Sequence, residues 1–119
     1  MTNVKTLTKR IIEFRDAREW KKFHQPKDVA IALVLEAAEV IEHFQWKSEQ
    51  ETKKYLRTNR ESVAEELADV LYCVLLMSHD LGIDILDALD HKMDQNEKKY
   101  PVKKAKGNAK KYTEFQETF

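Results

Sequence analysis

The sequence predicts an all-α protein with the architecture of a four-helix bundle. Apolar residues recur at helical spacing along most of the chain, and no segment shows the two-residue alternation of a β-strand. Only two glycines occur among 119 residues, whereas about 7% is usual, so tight hairpins and glycine-rich phosphate loops lack their main residue. We therefore expect helices joined by short turns, in one compact domain over residues 1–101, with a tail over residues 102–119.

Composition excludes several other classes of protein. The 21 basic and 21 acidic residues give a formal net charge of zero, so we expect no nucleic-acid partner. Cys73 is the single cysteine and cannot form an intramolecular disulfide, which favours a reducing compartment. The longest apolar stretches, residues 29–35 and 70–77, are shorter than the ~18–20 residues of a membrane span. We expect a cytoplasmic protein that does not contact a membrane.

The first two helices follow from apolar spacing and from a proline between them. A helix over residues 6–23 is predicted from five apolar residues at roughly helical intervals, Leu7, Ile11, Phe14, Trp20 and Phe23. Pro26 interrupts this pattern, and Asp28 is the expected N-cap of a second helix over residues 28–44. This second helix is apolar almost all round at residues 29–35, which predicts a central place in the fold.

The third and fourth helices are indicated by capping residues. Ser48 with Glu51, and Ser62 with Glu65, match the capping box, so we expect a short helix or structured connection and then a long helix over residues 61–80. Gly82 is the expected C-cap glycine. A fourth helix begins after Asp84, carries the apolar stripe Ile85, Leu86, Leu89 and Met93, and ends before Pro101.

Carboxylates interrupt the apolar faces of the second and third helices. Glu36 and Glu39 stand three residues apart on one helix, and Glu66 and Asp69 do so on the other. Residues three apart share a helix face, so antiparallel packing can bring the two pairs together. Such a cluster repels itself strongly unless a cation neutralises it or some acids protonate. A bound metal ion is the simpler solution, although a solvent-facing acidic surface remains open.

The ligand set indicates which metal. Oxygen ligands favour hard ions, so Mg²⁺ is expected, with Mn²⁺ as the alternative. Di-iron bundles use Glu-x-x-His on two helices, and none of the four histidines has a Glu three residues before it. Mg²⁺ held by carboxylates can in turn bind a polyphosphate. Trp20 and Trp46 at polar helix ends are candidate surfaces for a stacked base, or simply edges of the core. Lys92 and Asn96 on the fourth helix are candidate phosphate contacts, or solvated polar residues.

These residues together resemble the MazG-like all-α nucleoside triphosphate pyrophosphohydrolases, in the branch that acts on dCTP. Beyond the two acidic pairs, the resemblance rests on Arg18-Glu19-Trp20, Phe23-His24-Gln25-Pro26, Phe44-Gln45-Trp46-Lys47, Glu65-Glu66-Leu67-Ala68-Asp69-Val70-Leu71, Lys92-Met93-Asp94-Gln95-Asn96, Tyr100-Pro101 and Lys111-Tyr112-Thr113-Glu114. The ordered series extends over residues 10–115 and is far more specific than a single Glu-x-x-Glu.

The resemblance implies a function and a set of site residues. The reaction would be Mg²⁺-dependent hydrolysis of dCTP, or of a modified pyrimidine nucleotide, to the monophosphate and pyrophosphate, which cleanses the nucleotide pool. The catalytic metal ligands would be Glu36, Glu39, Glu66 and Asp69. Substrate would contact Trp20, His24, Trp46, Lys47, Lys92, Asn96 and Tyr100. The branch also implies a homo-oligomer, a tetramer built as a dimer of dimers.

Two positions depart from the pattern of the branch. Cys73 occupies the place of a tyrosine one turn after the motif Asp, and Ile11 that of an early histidine. Both bear on the preference for base and sugar and leave the metal ligands intact. Two further interpretations stay open, a non-catalytic helical module that binds a nucleotide or a partner, and a purely structural bundle.

Overall fold

A computed structural model describes residues 2–115, and in this range the regular structure consists of helices without strands. The all-α prediction is confirmed. The helices, numbered in chain order, are α1 Val4–Ala17, α2 Pro26–Glu42, α3 Glu49–Asp80, α4 Ile85–Lys99 and α5 Val102–Ala105, with 3₁₀ turns at Lys21–Phe23 and Tyr112–Glu114.

The chain divides into two compact units, Met1–Ile83 and Asp84–Phe119. The first contains α1 to α3, and the second contains α4, α5 and the segment that follows them. The division expected at residue 101 stays a prediction, and residues 116–119 of the expected tail lie outside the described residues. No helix of the described chain is both long enough and apolar enough to cross a membrane.

Helix α1 is shorter than its apolar spacing suggests. The side chain of Asn3 caps its first turn, and the helix ends at Ala17, so the prediction of a helix to residue 23 is wrong. The backbone of Glu19 turns into the left-handed region with φ 55°, which no α-helix can accommodate. Trp20 and Phe23 therefore lie on the 3₁₀ turn that follows α1.

Helix α2 begins two residues earlier than expected. Pro26 is its first residue, where the missing N–H is not needed, and Asp28 lies in the first turn and is not the N-cap. Val29 is buried in the core, but Val34 and Leu35 are 67% and 61% exposed. The apolar surface of α2 is therefore only partly covered within one chain.

Helix α3 confirms one predicted capping box and contradicts the other. Ser48 and Glu51 form the box at its N-terminus. Ser62 lies inside the helix, and the irregularity falls instead at Asn59, with φ −121° and ψ 15°. The side-chain amide of Asn59 donates to the carbonyl of Tyr55 at 3.0 Å, which supplies a local alternative to regular helix bonding.

The C-terminus of α3 has the expected glycine. Gly82 adopts φ 66°, and the N–H groups of Gly82 and Ile83 donate to the carbonyls of His79 and Ser78. These two hydrogen bonds form a Schellman motif, which requires a residue that tolerates the left-handed conformation.

Within the first unit, α2 and α1 both pack on α3. The buried apolar core consists of Val29, Val63, Cys73, Leu75 and Leu76. The prediction that Cys73 is a buried small apolar residue is confirmed. Because α2 packs along α3, their acidic residues are held on facing turns.

The second unit is built on α4. Asp84 caps its N-terminus by accepting from the N–H of Asp87, and the helix ends at Lys99 before Pro101, as expected. The ring of Tyr100 packs edge-on against Tyr112 and Phe115, at centroid distances of 6.0 and 5.8 Å. These aromatic contacts attach part of the predicted tail to the end of α4.

Candidate metal centre and nucleotide site

Four carboxylates converge between α2 and α3. Glu36 and Glu39 lie one turn apart on α2, and Glu66 and Asp69 lie one turn apart on α3. One oxygen from each of the four lies within 4.8 Å of the corresponding oxygens of the other three. The structure thus brings together the four acids that the sequence singled out.

Two oxygens of this cluster are buried without a partner. Glu36 Oε2 and Glu66 Oε2 are inaccessible to solvent, and neither has a hydrogen-bond partner among the described residues. Within residues 2–115, no lysine or arginine forms a salt bridge with any of the four acids. Buried charged oxygens normally have a partner, so these two are suited to bind a cation or to hold a proton.

The carboxylates raise one another's pKa values. The pKa of Glu66 rises to about 7, first because its carboxyl can donate a hydrogen bond to Glu39 only when it is protonated, then because it is desolvated and faces the charges of Glu39, Asp69 and Glu36. The pKa of Glu36 rises through burial and then through the charges of Glu39 and Asp69. Near neutral pH the metal-free cluster therefore retains a proton that a cation can displace.

The donor set fits a hard divalent cation. All four groups are carboxylates, and the two unpartnered oxygens come from different helices. Mg²⁺ and Mn²⁺ accept such oxygen ligands, whereas zinc and copper favour nitrogen and sulfur. Cys73 lies one turn beyond Asp69, and burial and then the charges of Glu36 and Asp69 raise the pKa of its thiol. The thiol therefore stays protonated and is a poor ligand.

Trp20 and His24 lie on the segment between α1 and α2. The Trp20 ring packs edge-on against Phe14 at 5.7 Å and remains 40% exposed. His24 lines a cavity of about 370 Å³ together with Lys21, His79 and Asp80. Its Nδ1 atom is buried and has no partner within the described chain. His24 therefore borders the cavity and has one buried ring nitrogen without a partner among residues 2–115.

Trp46 and Lys47 lie on the turn between α2 and α3. Trp46 is 92% exposed, and its backbone has the left-handed φ of 67°. The ammonium of Lys47 lies 4.3 Å from the centroid of the Tyr55 ring. The sequence singled out both residues of this turn but did not indicate that Tyr55 contacts it.

The remaining predicted residues belong to the second unit. Lys92 and Asn96 lie one turn apart on α4, and the N–H of Tyr100 donates to the carbonyl of Asn96 at 2.8 Å. Asn96 is half-buried, and Lys92 is exposed. Their relation to the four acids stays a prediction.

Two polar contacts have no counterpart in the sequence patterns. Arg15 forms an ion pair with Asp80, and His43 forms a hydrogen bond with Tyr55. The partners are 65 and 12 residues apart, so no local spacing indicates either contact. A basic residue on the apolar side of α1 is the only available signal, and it concerns Arg15 alone.

Comparison with known proteins agrees with this geometry. The model of the MazG-like family matches residues 31–115. Mouse and human dCTP pyrophosphatase 1 are each 39% identical over 105 residues, which cover 87% of this chain and 62% of the relative. This chain thus spans about three-fifths of the length of those relatives.

A solved structure shows the same fold. A pyrophosphatase from Archaeoglobus fulgidus DSM 4304 superposes with a TM-score of 0.80 at 38% identity, over 85% of this chain and 94% of that one. The family match covers all four acids as well as Trp46, Lys47, Lys92, Asn96 and Tyr100. The chain belongs to the MazG-like family.

Proposed function

We propose that this protein is a nucleoside triphosphate pyrophosphohydrolase that converts dCTP, or a modified pyrimidine deoxynucleotide, to the monophosphate and pyrophosphate. The observation that carries the proposal is the cluster of four carboxylates with two unpartnered, buried oxygens. The names of the mouse and human relatives suggest the substrate, and the archaeal structure suggests the class of reaction.

The proposed cofactor is Mg²⁺, held by Glu36, Glu39, Glu66 and Asp69. When bound, it would supply charge neutralisation for the triphosphate and a lowered pKa for an attacking water. Glu36 and Glu66 each have a buried oxygen without a hydrogen-bond partner among residues 2–115, so they are the proposed anchoring ligands.

Glu39 is the proposed group that orients the attacking water or takes its proton. It is exposed, whereas Glu36 and Glu66 of the same cluster are half-buried. Substrate and water can therefore reach the Glu39 carboxylate from solvent, and it lies close enough to the other acids to share their cation. General-base action needs such an accessible carboxylate within hydrogen-bond reach of the water.

Trp20, His24, Trp46 and Lys47 are the proposed contacts for the nucleoside. The exposed indoles of Trp20 and Trp46 offer flat surfaces for a base, and His24 lines a cavity between the segment that follows α1 and the end of α3. Lys92, Asn96 and Tyr100 are assigned to phosphate or sugar on the sequence resemblance alone.

We further propose that the protein works in the cytoplasm as a homotetramer, built as a dimer of dimers. Large apolar side chains on α2 and α3 remain about half or more exposed in one chain, namely Ile31, Val34, Leu35, Ile41, Leu67 and Leu71. Burial of apolar surface between subunits stabilises an assembly by about 25 cal/mol per Å². Light scattering coupled to size-exclusion chromatography measures the assembly, and a monomer contradicts this part of the proposal.

The central experiment is a panel of triphosphates incubated with the protein, with Mg²⁺ or with EDTA, and analysed by ion-exchange chromatography. We expect a monophosphate and pyrophosphate that appear only with metal. A diphosphate and phosphate would overturn the reaction proposed. Nucleotide binding without turnover would favour a non-catalytic binding module. The variants Glu39→Gln and Glu66→Gln test two acids of the cluster. Their matched controls are Glu42→Gln and Glu65→Gln, which remove neighbouring carboxylates outside the cluster.

A further inference from the structure

One residue of the turn between α2 and α3 has a strained backbone. Trp46 adopts φ 67°, a conformation that is unfavourable for any residue with a Cβ atom and rare for a bulky one. Its side chain is 92% exposed, so burial of the indole does not compensate for this strain. Other contacts must hold the turn in this conformation.

Tyr55 contacts the turn on both sides of Trp46. Its hydroxyl is hydrogen-bonded to Nδ1 of His43, three residues before Trp46. The face of its ring receives the ammonium of Lys47, the residue directly after Trp46, at 4.3 Å from the centroid. A single side chain of α3 therefore attaches both ends of the segment 43–47.

Tyr55 is itself well fixed. It is half-buried in the second turn of α3, and its carbonyl accepts a hydrogen bond from the Asn59 side chain at 3.0 Å. The Ser48–Glu51 capping box fixes the start of the same helix. Backbone bonds from Gln45 to Ile41 and from Lys47 to Phe44 complete the turn. Tyr55 is thus a rigid support for a segment that would otherwise relax.

We propose that Tyr55, with His43 as its hydrogen-bond partner, is a positioning residue that holds the backbone of Trp46 in its left-handed conformation and so places the indole for stacking against the base of the nucleotide. The inference rests on the proposed function, because it assigns Trp46 to the nucleoside. Tyr55 acts through the turn and not through the four acids. Its loss therefore weakens substrate binding and leaves the chemical step largely intact.

The first test needs no substrate. The chain has only two tryptophans, so labelling with ¹⁵N-tryptophan gives two tryptophan backbone amide signals, which Trp46→Phe assigns. In this chain, we expect Tyr55→Leu and His43→Leu to lower the ¹⁵N heteronuclear NOE of the Trp46 backbone amide and to leave that of Trp20 unchanged. Lys53→Leu is the control, since Lys53 is exposed on the same helix and, within the described part of the chain, forms an ion pair with Glu49 alone. An unchanged Trp46 signal in both variants overturns the proposal that Tyr55 holds Trp46.

The second test separates KM from kcat. Tyr55→Phe removes the hydroxyl and keeps the ring, so we expect KM to rise about two- to tenfold, as for one lost hydrogen bond. Tyr55→Leu removes both contacts, so the backbone of Trp46 has to become ordered when the nucleotide binds. The entropic cost of ordering one residue raises KM about five- to thirtyfold. In both variants kcat stays within about twofold of the parent, a split that general destabilisation does not produce.

The two tests fail in different ways. If no triphosphate is hydrolysed, the proposed function fails, and the measurement on the Trp46 backbone amide alone decides whether Tyr55 fixes the turn. If triphosphate is hydrolysed and KM is unchanged in Tyr55→Leu, the role of Tyr55 in nucleotide recognition is overturned. Circular dichroism checks that each variant is folded, and Tyr55→Phe serves where Tyr55→Leu does not fold.

Discussion

Arg15 and Asp80 form a partly buried ion pair between α1 and the last turn of α3, in which Arg15 is the buried partner. Nη1 of Arg15 donates to both carboxylate oxygens of Asp80, at 2.8 and 2.7 Å, and Arg15 is only 1% exposed. Asp80 also borders the cavity beside His24. The pair thus joins helix packing to the position of one proposed substrate contact.

Asp80→Asn is expected to destabilise the protein by about 3 kcal/mol, because within residues 2–115 it leaves the buried Arg15 guanidinium with only a longer ion pair, from Nε to Asp16 at 3.5 Å. Urea unfolding followed by circular dichroism measures this change. Asp90→Asn is the control, since Asp90 is exposed and forms no salt bridge within residues 2–115. A loss below about 1 kcal/mol, as for an exposed pair, would contradict the role assigned to Arg15 and Asp80.

Local sequence signals were sufficient for much of the fold. Ser48 with Glu51, Asp84 and Gly82 mark helix ends because each satisfies backbone groups a few residues away. The two acidic pairs, Glu36 with Glu39 and Glu66 with Asp69, also follow from local spacing, since residues at i and i+3 share a helix face. These features depend on neighbours along the chain and can therefore be predicted.

Other features depend on contacts that local spacing does not encode. The left-handed backbone of Trp46 is held by Tyr55, and the burial of Arg15 depends on Asp80. Ser62 with Glu65 matches a capping box, yet helix bonding continues through Ser62 because α3 is already started by Ser48. Val34 and Leu35 were expected in the core, and their exposure reflects what one chain alone can cover.

Mg²⁺ is expected to raise the thermal midpoint of the metal-free protein at pH 7.5, because a cation that binds only the folded state stabilises it by mass action. Differential scanning fluorimetry with increasing MgCl₂ measures the shift. Glu66→Gln should abolish most of the shift, and Glu65→Gln should retain it, because Glu65 lies outside the cluster. An equal response in both variants would remove Glu66 from the metal site.

The stability of the metal-free protein should decrease as pH rises from about 4.5 to about 7. The pKa of Glu66 is raised in the folded state from 4.5 to about 7, so the folded protein binds a proton that the unfolded chain releases. Because folding takes up a proton, the free energy of unfolding falls as pH rises through this interval. Above both pKa values neither state holds the proton, and Glu66 causes no further change. Thermal midpoints in EDTA measure the slope. Glu66→Gln should flatten it, and a slope unchanged in this variant would contradict the assignment.

Asp69→Ala and Glu39→Ala should each lower kcat/KM at least about 100-fold, since even the loss of an outer-shell partner of a metal ligand costs about 10- to 100-fold. Both carboxylates are exposed, so the fold should survive. Pyrophosphate release measures the rate. The control is Glu42→Ala, since Glu42 lies one turn beyond Glu39 on α2 but outside the cluster, and it separates the loss of a ligand from a general effect of charge. Turnover near the parent rate in either variant would exclude that residue from the site.

Trp46→Gly should separate stability from recognition. Glycine adopts φ 67° without strain, and the 92% exposed indole contributes little burial. The greater entropy of glycine in the unfolded chain offsets part of this relief, so we expect the free energy of unfolding to stay constant or rise by up to about 1 kcal/mol. KM for the nucleotide should nevertheless rise, because the stacking surface is lost, by about tenfold if stacking contributes about 1.4 kcal/mol.

Chemical denaturation and steady-state kinetics on the same preparation measure both quantities, with Trp46→Phe retaining a smaller ring as the comparison. A marked loss of stability in Trp46→Gly would mean that the indole supports the fold, and that its strained backbone is not maintained for nucleotide binding.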